Sequence, residues 1–294
     1  MKETIIKIKS IHGKDISFTD TCEGGIETAL ICGFGSDSSG KSRFGLTGPN
    51  VTGLIATDAN TRSVAKKHQQ EFKRKLLMPT EDFVRTKSAG VRVGWNATMS
   101  EDEERRVKEI VMKDSREVVD RIKQATWALA DRPEVKLIVI DNAGDLYDAI
   151  LNAHYGKTEH LVRRIQSKTY KDTSAAKQEM RDFIDSINHK HLFMSHKNRD
   201  RYENNVNTGQ QTFVGYPDMG FKVNLQVLFE NNPKWKPDSS KAEESWHWAL
   251  SIVKCRSNTD MEGANGKRVL LDDDITFQNL MVMVYPDSDR GDWE

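Results

Sequence analysis

The stretch ALICGFGSDSSGKSRFGL, residues 29–46, decides the fold. It opens on an apolar run, residues 29–33, short and glycine-flanked in the manner of a buried strand. It continues as Gly35-Ser36-Asp37-Ser38-Ser39-Gly40-Lys41-Ser42, a complete G-x-x-x-x-G-K-[ST]. Arg43-Phe44-Gly45-Leu46 can then start a helix. The glycines let the backbone curl so that successive N–H groups face one concavity, which suits phosphate oxygens. In such a loop Lys41 places its ammonium between the β- and γ-phosphates, and the Ser42 hydroxyl ligates Mg²⁺. ATP and Mg²⁺ are the implied ligands, with Gly35 through Arg43 as contact residues.

Working outward, further apolar runs read as strands: residues 51–57, 135–140, 191–195, 223–229 and 248–254. The clearest ends in Leu137-Ile138-Val139-Ile140-Asp141. Asp141 falls where the chain leaves the sheet, at the carboxyl edge where open α/β folds bind ligands. It is the expected partner of Ser42 at Mg²⁺; the plainer reading is a helix cap. Between the second and third strands Ser100-x-x-Glu103 forms a capping-box pattern. Val107, Ile110, Val111, Val118, Ile122, Ala125 and Leu129 then keep helical spacing. Residues 174–190 predict a second amphipathic helix, with Met180, Phe183, Ile184 and Ile187 on one face. Buried strands alternating with helices predict an α/β fold, a mainly parallel sheet with helices on both faces. One core is expected over residues 1–283, with a β-rich N-terminal lead-in, followed by a short acidic tail at 284–294. Residues 78–99, 153–173, 198–220, 231–245 and 257–274 read as long irregular stretches, which in a domain of this kind carry function or move.

Composition narrows the class. The 294 residues hold 44 Lys+Arg and 44 Asp+Glu, so any nucleic-acid affinity must come from local basic patches. No apolar run reaches the roughly 20 residues of a membrane span, and a charge interrupts the place of a signal peptide's apolar stretch. Three scattered cysteines (Cys22, Cys32, Cys255) make neither a disulfide framework nor a zinc site. The expectation is a reduced, cytoplasmic, soluble protein with no membrane partner. The eight histidines show no metal-ligand spacing, and Trp235, Trp246 and Trp248 read as a packing patch or subunit contact.

The loop Asp37-Ser38-Ser39-Gly40-Lys41-Ser42 resembles the acidic-Ser-Ser-Gly-Lys-Thr/Ser form of RecA-type recombinases. With the Gly48-Pro49 turn and a second strand ending at Asp58, the chain is similar to compact RecA-like P-loop ATPases encoded by bacteriophages. That resemblance, carried by points between about residues 27 and 256, implies a DNA recombination or annealing ATPase. Such a protein assembles on single-stranded DNA as a homo-oligomeric ring or filament; a single-strand-binding protein is among the partners the role allows. The strand His191-Leu192-Phe193-Met194-Ser195-His196 resembles the one bearing the family's phosphate-sensing residue, which implies His196 as sensor. Lys254-Cys255-Arg256 resembles the Lys-x-Arg pair that reaches a neighbouring subunit's ATP. Residues 198–220 stand in the place of the family's second DNA-binding loop, and 163–171 in the place of the first.

One departure bears on turnover. The family's water-polarising glutamate follows an aspartate by two residues, whereas here the order is Asp58-Ala59-Asn60. An amide orients water but does not accept its proton at neutral pH. Either Asp58 or another carboxylate takes over, or hydrolysis is slow and the chain is a nucleotide-gated DNA-binding or loader protein. A ring helicase or translocase motor is the third reading. Two basic stretches could meet DNA: residues 62–75, with six Lys/Arg against one Glu, and 163–171, with four basic residues and Tyr170. Lys197, Arg199, Arg201, Tyr202, Phe213 and Tyr216 form a further cationic and stacking set. A solvated helix face is the plain reading of the first.

Overall fold

The computed structural model describes residues 5–9, 15–19, 28–72, 74–80, 83, 100–156, 173–203, 206–237, 239–262 and 267–293. Ile5–Lys9 (β1) and Asp15–Thr19 (β2) pair antiparallel as a separate two-stranded sheet. The loop-bearing strand Leu30–Gly35 (β3) is followed by Lys41–Leu46 (α1), Val51–Ala56 (β4), Ala59–Phe72 (α2) and Lys75–Leu77 (β5). Next come Glu101–Ala130 (α3), Leu137–Asp141 (β6), Ala143–Tyr155 (α4), Ser174–Ser186 (α5), His191–Glu203 (β7) and Val206–Phe213 (β8). Met219–Lys222 (α6), Leu225–Asn231 (β9), Trp248–Cys255 (β10), Lys267–Leu271 (β11) and Phe277–Val284 (α7) complete the order.

Nine strands form one mixed sheet, ordered β11-β10-β9-β3-β7-β6-β4-β5, with β8 paired to the outer half of β7. The run from β9 to β5 is parallel throughout, whereas β10, β11 and β8 join by antiparallel pairing. The carboxyl ends of β3, β4 and β6 and the middle of β7 therefore share one edge.

Period-two alternation explains why the strands read as unbroken apolar runs. Ile138, Ile140, Leu192 and Met194 face a core built with α3, α4 and α5. Leu137, Val139 and Phe193 face the opposite core, with Phe44 of α1, Ala65 of α2 and Phe277 of α7. Each such side chain, fully buried, stabilises by roughly 1.5–3 kcal/mol. The expected α/β architecture with helices on both faces is what the chain forms. The capping box of α3 is made, Ser100 N–H donating to Glu103 Oε2 at 2.9 Å. Ile110, placed on the helix's apolar stripe by spacing, is instead 40% exposed.

Two expected irregular stretches are ordered differently. Residues 198–203 continue β7 and residues 206–213 return as β8, a two-stranded extension, and β11 lies within 257–274. The expectations for 163–171 and most of 78–99 fall outside the described residues. Among the described residues no helix is long and apolar enough to cross a membrane.

The acidic C-terminal stretch is anchored. Trp293 is 1% exposed, packs against His191, Phe277 and Tyr285, and donates its indole N–H to Ser288 Oγ at 2.8 Å. Trp293→Ala is expected to cost about 3–5 kcal/mol of stability. A denaturant titration that finds less than about 1 kcal/mol would show that the anchor is dispensable.

Candidate nucleotide site

Loop residues 36–40 sit at the carboxyl end of β3 with positive φ at Ser38 (62°) and Gly40 (92°), the curl that the motif requires. Gly35 tolerates no side chain, because a Cβ there would lie 2.2 Å from the carbonyl oxygen of Phe229 on β9. Helix α1 is pinned by Phe44, which meets Phe193 and Phe229 edge-on at centroid distances of 5.1 and 5.3 Å. The first turn of α1 thereby presents Ser42 to the end of β6.

There the site closes on one carboxylate. Asp141 is 5% exposed; its Oδ2 accepts from Ser42 Oγ at 2.6 Å and from Thr61 Oγ1 at 2.8 Å. Its Oδ1 accepts from Ser195 Oγ on β7. Asp141 is not the helix cap: that role falls to Asn142, whose Oδ1 accepts from Gly144 N–H at 2.8 Å. Thr57, just past β4, ties the two strand ends together. It donates to the Asn142 carbonyl at 2.9 Å and accepts from the Asn142 N–H at 2.8 Å.

Lys41 is half-buried rather than projecting into solvent. Its Nζ donates to the carbonyls of Gly35 (2.8 Å) and Ser36 (2.6 Å) and to Ser39 Oγ (3.3 Å). Burial lowers its pKa, opposed by the charges of Asp141 and Asp37 and reinforced by Lys197. A cavity of about 610 Å³ opens over the loop; Asp58, Asn60, Asp141, Ser195, Lys197 and Trp248 are among its lining residues. Asp58 caps α2, its Oδ1 accepting from Asn60 N–H at 2.8 Å, and Asn60 stands exposed beside it.

His196 does not belong to this site. Alternate residues of β7 face opposite sides, so Ser195 and Lys197 reach the cavity while His196 turns into the protein. It is fully buried, its Nδ1 donates to the Val214 carbonyl at 3.0 Å, and Phe213 packs on its ring. Tyr216 is likewise buried, against Tyr147, and no stacking surface. Phe213 is partly buried against Phe34; Tyr202, 61% exposed near the end of the β7–β8 extension, remains available. Within 62–75, Lys66 and Lys67 form the solvated helix face, whereas Arg74 donates to the carbonyls of Thr47 and Gly48.

Lys254 and Arg256 lie at the other edge of the sheet. Strand β10 runs antiparallel to β9, so Trp248 starts at the loop and Arg256 ends about 25 Å away along the strand. Lys254 Nζ donates to the Gly220 carbonyl at 2.6 Å and Arg256 Nη2 to that of Phe221, while Cys255 faces the core. The two cations reach adjacent carbonyls, as i, i+2 residues on a strand do, but touch nothing of their own chain's loop.

Thr61, Ser195, Lys197 and Trp248 are site residues that motif reading alone misses. Thr61 could have been found from its place one turn into the helix after Asp58, and Ser195 from strand alternation.

His191 and His196 give the site's strand a pH signature. Burial pulls each to about 4 from the ordinary 6.5, with Lys136 adding to the effect at His191. His191 Nδ1 accepts from Ala29 N–H at 3.0 Å and cannot do so when protonated there. Both pKa values are lower in the folded chain, so between pH 6.5 and 4 the unfolded chain binds more protons and stability falls as pH falls. Each histidine is expected to contribute on the order of 3 kcal/mol of this loss. Denaturant midpoints across that window should flatten by about half in His196→Asn; an unchanged slope would place the acid sensitivity elsewhere. No family model and no curated protein matches the chain, so the chemistry of the site rests on its own residues.

Proposed function

We propose that the chain is a RecA-like phosphate-loop ATPase that assembles on single-stranded DNA and acts in recombination or annealing. The observation that carries the reading is the 2.6 Å bond from Ser42 of a complete G-x-x-x-x-G-K-S loop to the buried strand-end carboxylate Asp141. A hydroxyl and a carboxylate side by side are the donor set for Mg²⁺, a hard cation held by one or two protein oxygens plus phosphates. Ser42 and Asp141 would hold it; bound there, it neutralises charge on the phosphoryl oxygens.

The chain's own groups divide the remaining work. The loop N–H groups bind phosphate oxygens, and Lys41 exchanges the Gly35 and Ser36 carbonyls for them. Thr61 and Ser195 keep Asp141 oriented. Asp58 and Asn60 flank the place for an attacking water, with Asp58 the carboxylate able to take its proton. Lys197 supplies a cation beside Lys41. The β7–β8 extension carries Arg199, Arg201 and Tyr202 outward, cations and a ring suited to a single strand. Lys254 and Arg256, remote from their own loop, act on the nucleotide of an adjacent copy. Asn60 in the usual glutamate position favours the second reading, a nucleotide-gated DNA binder with little turnover.

The direct test is nucleotide binding and ATPase rate with and without single-stranded DNA. Lys41→Ala should abolish ATP binding while its circular dichroism stays unchanged. Asp141→Asn should keep much of the affinity and lose Mg²⁺-dependent turnover. Retained ATP affinity in the folded Lys41→Ala chain would remove the phosphate-loop assignment.

The subunit-boundary role is tested by mixing. Arg256→Ala should bind ATP but neither hydrolyse it nor form ATP-dependent assemblies. Adding Lys41→Ala chains should restore part of the activity, because a mixed boundary pairs an intact loop with an intact Arg256. Cations in this role are worth about 10³–10⁵ in rate. Full turnover by Arg256→Ala alone would dismiss it.

A further inference from the structure

Past Arg43 the cavity ends on an aromatic wall. The indole of Trp248, the first residue of β10, lines the cavity and donates its Nε1–H to the Ser38 carbonyl at 3.1 Å. The ring of His247 stacks on it with centroids 4.0 Å apart and planes 18° apart, and Trp235 stacks on His247 at 4.3 Å and 12°. Arg43 Cζ stands 5.7 Å from the Trp248 centroid, and Asp273 holds that guanidinium at 2.9 Å. The neighbouring Asp272 accepts from the backbone N–H groups of both His247 and Trp248, each at 2.8 Å.

The spacing of these tryptophans suggests a packing patch, yet the stack is not enclosed: Trp235 is 39% exposed and Trp248 opens on the cavity. A π face offers little to a phosphate, whereas a guanidinium over a ring makes a surface on which a flat heterocycle stacks well. We propose that Trp248, with Arg43, is the platform for the base of the nucleotide whose phosphates the loop holds. The site then takes nucleoside polyphosphates in preference to bare polyphosphate. This inference rests on the nucleotide-binding reading above. The bond from Trp248 to Ser38 sets the distance from platform to phosphates, Asp272 fixes the backbone that carries the ring, and Asp273 pairs with the guanidinium. Stacking reads the presence of a base more than its edge, so ATP and GTP are both accepted.

The test measures ATP and inorganic tripolyphosphate binding, each with Mg²⁺, on the full chain and on Trp248→Leu and Trp248→Phe. Trp248→Leu is expected to bind ATP roughly 5- to 150-fold more weakly, with tripolyphosphate unaffected and Trp248→Phe close to wild type. ATP affinity unchanged in Trp248→Leu overturns the platform. So does equal weakening of both ligands in both variants, which would leave only the indole N–H bracing Ser38. A wild-type chain that binds tripolyphosphate as tightly as ATP overturns the platform but spares the loop. One that binds neither ligand overturns the nucleotide-binding reading itself.

Discussion

Three hydroxyls converge on one buried carboxylate, and the arrangement of the loop-bearing edge of the sheet follows from it. An ionised carboxylate withdrawn from water is costly unless its oxygens are hydrogen-bonded. Asp141 meets that demand with Ser42 from α1, Thr61 from α2 and Ser195 from β7, elements that follow or form three different strands. Loss of any one hydroxyl leaves a buried acceptor under-satisfied, typically at about 1–3 kcal/mol. The loop helix, the second helix and the central strand are thus held in one relation by a single side chain.

Apolar packing gives that convergence its precision. Phe193 projects from the sheet between Phe44 and Phe229, so the helix bearing Ser42 cannot slide along β3 without breaking edge-to-face contacts. On the other face α3, α4 and α5 share a polar clamp in which Glu179 accepts from Arg116, Lys123 and His154. Burial alone would raise its pKa, but these three donors prevail and hold it at about 2. The sheet is therefore covered on both sides, by the ring-pinned helix on one and, over an apolar core, by helices braced to one another through this charge network on the other.

Local patterns were legible from the residues: the loop, the LIVID strand, the capping box and the two-faced sheet each depend on neighbours in sequence. What escaped depends on partners far along the chain. His196 reads as polar at a strand end, but only the register of β7 between β3 and β6 decides that Ser195 and Lys197 face the cavity. Residues 198–203 and 206–213, rich in Asn and Gln, lack apolar alternation because most of both faces is exposed, so their pairing has little hydrophobic signature. Trp248 looks like a packing residue until antiparallel β10 brings its first residue to the loop. Likewise, spacing sets Lys254 and Arg256 on one side of a strand, and only strand direction shows that they stand at the edge away from their own loop.

Strand β7 passes without interruption from the middle of the sheet into the two-stranded extension. Mechanically it is a lever whose fulcrum is the sheet. Its short arm carries Ser195 against Asp141, and its long arm, from Lys197 to Glu203, reaches about 20 Å outward. A paired ribbon resists bending, and the register shift between Asp200 and Tyr202 adds a local bend and extra twist partway along it. A rotation of a few degrees at the short arm becomes an ångström-scale sweep at the tip, scaled by the length of the strand and by the bend within it.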